Sequence, residues 1–305
     1  MGPLGPMALS RRDFVAQAAL ISAAAPLFAR AQAPAAPASN PLPLRIGMTD
    51  WNLGRRGDIT KITLAREIGL DGIQVSITYP TDGSPTLRDL ETQAAFKQAA
   101  LENGVQICSL AIGNPGASRL PLHTNPAAAI LLVEAVEVAR TLGTNNILLP
   151  ILGDSHIDMA NQKEVDTFVA MMKEVARYAG RAGVVVALED WISAEDNLRL
   201  LDAIGSDNVA VYYDAHNIKS RLQRDPYHEP ALLGRRIHQV HVKNASKLLR
   251  EPGLLEWPRL AQAYYDIGYR GWIVLETPSP SGDIVADTRA NIEYVRQTFR
   301  MPART

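Results

Sequence analysis

Cysteine is almost absent: Cys108 is the only one in 305 residues. It has no partner for an intrachain disulfide, and its place inside the apolar run 105–112 makes it a small buried hydrophobe. An excess of one charge sign is also lacking, with 31 Lys and Arg against 32 Asp and Glu. The resulting net charge of −1 provides no basic field for nucleic acid or an anionic membrane surface, so no nucleic-acid partner is expected. Six histidines are few for the multi-metal clusters of phosphodiester hydrolysis. No G-x-G-x-x-G follows the first strand-like run, which removes the usual cue for a dinucleotide-binding open sheet. Beyond residue 44 no segment approaches the ~20 apolar residues of a membrane span, so no stable membrane insertion is expected.

The N-terminus has a different character. Ser10-Arg11-Arg12-Asp13-Phe14 is a twin-arginine pattern, and an Ala-rich apolar stretch follows from Val15 to Ala29. Small-x-small sites then stand at Ala29-Arg30-Ala31 and Ala31-Gln32-Ala33. That order of charge, apolar run and cleavage site describes a secretory signal. The expected organisation is a twin-arginine signal peptide over 1–33, a Pro/Ala linker over 34–43 and one folded domain over 44–300. The expected destination is the periplasm or the outer side of the membrane. Twin-arginine export carries folded proteins, so a metal would be loaded before transport.

From residue 44 one unit recurs: an amphipathic helix, a glycine, then an apolar β-rich run. The glycines are Gly69, Gly104, Gly143, Gly183, Gly205, Gly234 and Gly268, each read as a left-handed helix end. The runs that follow are 72–77, 105–112, 146–151, 184–190, 209–214, 237–243 and 272–277, with 45–51 leading. They are continuous rather than alternating, as parallel strands covered on both sides require. Leu131, Ala135, Val138 and Leu142 form one helical stripe. Val165, Phe168, Val169, Met172, Val175 and Ala176 form another. Eight strands in about 260 residues predict a single α/β domain, a (β/α)₈ barrel.

Active sites of such barrels lie at the C-terminal strand ends. Runs five, six and eight end on Glu189, Asp214 and Glu276 at one level, and run seven carries His241 there. Three carboxylates buried together need a counter-charge. The expected cofactor is one divalent ion on these four residues. The oxygen-rich set suits Mn²⁺, Co²⁺ or Mg²⁺, with Zn²⁺ still open. Glu189 and Glu276 are the candidate acid/base pair. Strand alternation puts Lys243 on the face of His241 and sends His238 to the helix layer. It also puts His216 on the face of Asp214. Trp191 is a candidate wall for a sugar ring, and Trp51, at the end of the first strand, and Asn114 and His156, in loops, are further candidates for substrate contact. Asp190 and Asp196 read as solvated acids or ion-pair partners.

Leu188-Glu189-Asp190, Tyr212-Tyr213-Asp214-Ala215-His216-Asn217, Val240-His241-Val242-Lys243-Asn244 and Val274-Leu275-Glu276 resemble the four metal-binding strand ends of the xylose isomerase-like barrel superfamily. The sugar phosphate isomerase/epimerase group, with its ketose 3-epimerases, is the most similar. The resemblance covers nearly all of 44–300. It implies the same four ligands, and places Lys243 and Asn217 where substrate is often met. Two departures stand out. Asn244 replaces a frequent Asp, and His216 replaces a frequent Gly. The implied activity is a metal-dependent sugar isomerase or epimerase acting on a small carbohydrate. The alternatives are a lyase or hydratase on 3-keto glycosides, then a phosphodiester hydrolase or a non-catalytic sugar-binding protein. The sequence leaves a homo-oligomer open.

Overall fold

The computed structural model describes residues 44–80, 82–112, 122–125 and 128–299. The expected signal peptide, the linker and Asn114 lie outside the described residues. Eight parallel strands close into a barrel in sequence order: β1 Arg45–Thr49, β2 Gly72–Ile77, β3 Gln106–Ile112, β4 Asn146–Ile151, β5 Val185–Asp190, β6 Val209–Asp214, β7 Ile237–Val242 and β8 Trp272–Leu275. Outside them lie α1 Thr60–Ile68, α2 Leu90–Asn103, α3 Ala129–Leu142, α4 Gln162–Ala182, α5 Ala194–Ile204, α6 Ala215–Arg221, α7 Glu229–Leu233, α8 Trp257–Asp266 and α9 Ile284–Thr298. No described helix is long and apolar enough to cross a membrane.

The helices are held by the stripes that the spacing predicts, with one shift. All six residues of the α4 stripe are buried. On α3 the fully buried residue of the first turn is Leu132, and Leu131 is only half-buried. The stripe is wider than one row because both Val136 and Ala139 also face the sheet. Five helices end on a left-handed glycine as read. Gly234 does not: with φ 51° and ψ −125° it opens a 3₁₀ turn, Gly234–Arg236, that leads into β7.

Two irregularities in the ladder set the site. β3 skips a partner between Ile73 and Gln74, which brings Ser109 level with Gln74. β7 passes His238 without a partner, so Gln239 lies opposite Tyr212 and His241 opposite Asp214. His238 stands half-buried outside the barrel wall, where burial lowers its pKa. Cys108 is buried and free, and burial pushes its thiol up to about 12, so it is a packing residue.

Candidate metal centre

Glu189 is the fifth residue of β5, Asp214 the last of β6 and His241 the fifth of β7. Glu276 lies one residue past β8, where its N–H continues the ladder to Val242 O at 3.0 Å. One donor atom from each of the four lies within 4.8 Å of all the others. His241 Nδ1 is 3.4 Å from Glu189 Oε1 and 3.5 Å from Glu276 Oε2. The side chain of Glu189 is 6% exposed and that of Glu276 20%, so Glu276 is the more open of the two glutamates. This donor set fits a divalent cation: three carboxylates and an imidazole converge where their mutual repulsion calls for positive charge. Glu189, Asp214, His241 and Glu276 would hold it.

The electrostatics follow from that crowding. Burial drives Glu189 above the usual carboxylate range, against the pull of His241. Burial also presses Asp214 upward, but Lys243 and His241 outweigh it and its pKa falls below normal. Burial lowers His241, and Glu276 and Glu189 outweigh that, so its pKa is raised. Lys243 supplies the one ammonium. Its Nζ lies 2.6 Å from Asp214 Oδ2 and 2.8 Å from Glu276 Oε2, and the two carboxylates raise its pKa despite burial. The sequence reading aimed Lys243 at substrate; the structure puts it on two of the four donors.

Asp214 also starts a helix. Its Oδ1 accepts the backbone N–H of His216 at 2.9 Å and of Asn217 at 3.1 Å, which caps α6. The chain is therefore helical from Ala215, and strand alternation does not carry His216 onto the face of Asp214. His216 is half-buried, and burial lowers its pKa. Asn217 turns inward instead and donates from Nδ2 to Glu189 Oε1 at 3.1 Å. Asp190 was read as solvated or ion-paired, and is neither. It is buried, accepts from Ile192 N and Asn197 Nδ2 at 3.1 Å each, and burial raises its pKa to about 7. Asp196 does pair with Arg199, at 3.2 Å.

Two aromatic candidates flank the centre differently. Trp51 stands edge-on to His241, ring centroids 6.2 Å apart, with the Arg56 guanidinium 4.1 Å from its own ring. Asp50 anchors that loop by accepting from Ser76 N, Ser76 Oγ and Gly57 N, each at 2.7 Å. Trp191 and His156, from the loops after β5 and β4, come together 6.4 Å apart. They line a cavity of about 320 Å³ with Ile157, Met159, Ile192 and Leu222. Asn244, the departure on β7, donates to the carbonyls of Leu248 and Glu251 at 2.9 Å each and so ties down its own loop.

The chain belongs to the xylose isomerase-like TIM barrel family, whose sequence profile matches residues 62–298. Comparison with curated proteins finds no match. Several solved structures share the fold. An L-ribulose 3-epimerase is 17% identical with a TM-score of 0.70, over 84% of this chain and 94% of its own. D-psicose 3-epimerase from Clostridium cellulolyticum H10, solved with D-tagatose, is 17% identical with a TM-score of 0.69, over 85% of this chain and all (100%) of its own. A 3-keto-D-glucoside 4-epimerase from E. coli, in its apo form, is 15% identical with a TM-score of 0.68, over 84% and 100%. At these identities the likeness is one of fold.

Proposed function

We propose that this protein is a divalent-metal-dependent sugar isomerase or epimerase that abstracts a proton beside the carbonyl of a keto sugar. The observation that carries the reading is the convergence of Glu189, Asp214, His241 and Glu276 to within 4.8 Å at the C-terminal barrel face. A divalent ion held there would act as a Lewis acid on a substrate carbonyl and make the neighbouring C–H bond more acidic. The chain's own part is to move that proton. Glu189 lies one residue before the end of β5 and Glu276 one residue past β8, with β6 and β7 between, so they address a substrate from two sides. Glu276 is the more open and serves as the first base. Glu189, on the strand side opposite Glu276, would return the proton to the other face of the substrate. Trp51 stands edge-on to His241 at the rim of the centre and would offer an apolar surface to a bound sugar. The names of the structural neighbours, sugar epimerases in three cases, agree with this chemistry.

A second reading keeps the abstraction and lets the enolate expel a β-leaving group: a lyase on a 3-keto glycoside. The cavity beside Trp191 favours it, because that space lies apart from the four donors and admits a second ring. Export through the twin-arginine route, proposed from Arg11 and Arg12, also favours it, since glycosides are met outside the cytoplasm.

The test is ¹H NMR in D₂O of metal-loaded protein with free ketoses, keto glycosides and their phosphorylated forms. Deuterium uptake at a carbon next to a carbonyl, with an epimer or isomer formed, supports the first reading. Release of the aglycone supports the second. No exchange with any of these sugars would refute both.

A further inference from the structure

Below the four donors a polar cluster sits among the apolar side chains of the barrel interior. Gln74 on β2, Ser109 on β3, Tyr212 on β6 and His241 on β7 are all buried there. Gln74 touches the other three. Its Oε1 lies 2.9 Å from His241 Nε2. Its Nε2 lies 2.8 Å from Ser109 Oγ and 3.2 Å from Tyr212 Oη. A primary amide carries two donors on nitrogen and none on oxygen. With nitrogen toward the two hydroxyls, both N–H groups find acceptors and the oxygen takes one donor. Turned end for end, the two hydroxyls would donate to the amide oxygen instead, so they do not choose between the two orientations. His241 does: its Nδ1 faces Glu189 Oε1 and Glu276 Oε2, and a ring that binds an ion through Nδ1 keeps its proton on Nε2, 2.9 Å from the amide oxygen. An amide oxygen only accepts, so the ring nitrogen facing it carries the proton.

We propose that Gln74 is a positioning residue that fixes His241 in its Nε2–H form and leaves the Nδ1 lone pair for the metal. The proposal rests on the reading of Glu189, Asp214, His241 and Glu276 as a metal centre. Nδ1 is the ring nitrogen beside Glu189 Oε1 and Glu276 Oε2. The ring itself is wedged. Tyr212 lies 4.5 Å from it, centroid to centroid, and Trp51 stands edge-on at 6.2 Å. β2 and β7 are not neighbours in the closed barrel, so Gln74 is a strut across its interior. Fixing the tautomer of a ligating histidine through its second nitrogen commonly governs metal affinity by 10–100-fold.

Two measurements on the full chain decide the matter. In ¹⁵N-histidine-labelled wild type loaded with diamagnetic Zn²⁺, His241 is assigned by its loss in His241→Asn. Its Nε2 should carry a proton and its Nδ1 should hold the ion. Binding through Nε2, with the proton on Nδ1, overturns the proposal. Mn²⁺ titration then compares variants. Gln74→Leu should bind roughly 10–100-fold more weakly. Gln74→Glu retains an acceptor and should stay near wild type, whereas Gln74→Met, of the same length but without one, should bind as weakly as Gln74→Leu, which a merely space-filling role would not produce. Wild-type affinity in Gln74→Leu, or equal loss in both variants, overturns the proposal. If Gln74→Leu does not fold, the wild-type tautomer decides. Wild type that binds neither ion overturns the metal-centre reading and this proposal with it, whereas an ion held through Nε2 overturns this proposal alone.

Discussion

Lys243 and a divalent ion would claim the same oxygens, Asp214 Oδ2 and Glu276 Oε2, which the ammonium reaches at 2.6 and 2.8 Å. Metal entry must therefore move Lys243 aside, toward the mouth where a substrate oxygen would take its proton donors. Lys243→Met removes the competing charge. It should bind Mn²⁺ roughly tenfold more tightly, about 1.4 kcal/mol, and lose turnover. Weaker binding in a folded variant, measured by titration, would show that the lysine supports the metal instead. The raised pKa values of His241 and Glu189 give a second expectation. A group whose folded pKa is raised stabilises the fold fully below its unfolded value, about 4.3 for Glu and 6.5 for His. That contribution fades as pH rises through the folded value. The ion must displace those protons, so its stabilisation grows as they leave. The rise in Tm on adding Mn²⁺ should be larger at about pH 8 than at about pH 5.5, either side of the ordinary histidine pKa. Equal shifts would mean that neither proton competes with the metal.

At the scale of elements, the strand ends carry the site and the loops hold it open. Asn244 binds two carbonyls through one amide, and a Cβ on Gly253 would lie 1.7 Å from its Oδ1. Asp at this position would turn a carboxylate toward two carbonyl oxygens. Asn244→Asp should cost about 3 kcal/mol, from two lost hydrogen bonds and a buried unpaired charge. That corresponds to roughly 6 °C in Tm for a domain of this size. An unchanged melting curve would show that the loop finds another fastening. The same elements explain what could be read beforehand. Glu189, Asp214, His241 and Glu276 were legible because each ends, or nearly ends, an apolar run, and closure of the barrel levels those ends. Strand alternation does not reach His216, because Asp214 caps α6 and the chain is already helical there, yet its ring still feels the charges of Asp214, Lys243 and Glu276. Asp190 was misread because its partners, Ile192 N and Asn197 Nδ2, belong to the turn into α5 and form only once the chain folds back. Gln74 could not be given a role from sequence. Its partners are 35, 138 and 167 residues away, and β3 must skip a partner to bring Ser109 level with it.

For the whole molecule, the fold follows from repeated local rules. Glycine-ended helices and continuous apolar strands give closure in sequence order, with the acids gathered at one end. Near-neutral net charge leaves the acid cluster as the feature that draws a cation. The central claim is that Glu189, Asp214, His241 and Glu276 together make a metal site, and a Mn²⁺ titration of the chelator-treated protein, followed by the EPR signal of free ion, tests it most directly. The account predicts about one tightly held ion per chain, lost in Asp214→Asn and in His241→Ala while the fold persists. Free Mn²⁺ that rises from the first addition, or a bound ion that survives both substitutions, would contradict it.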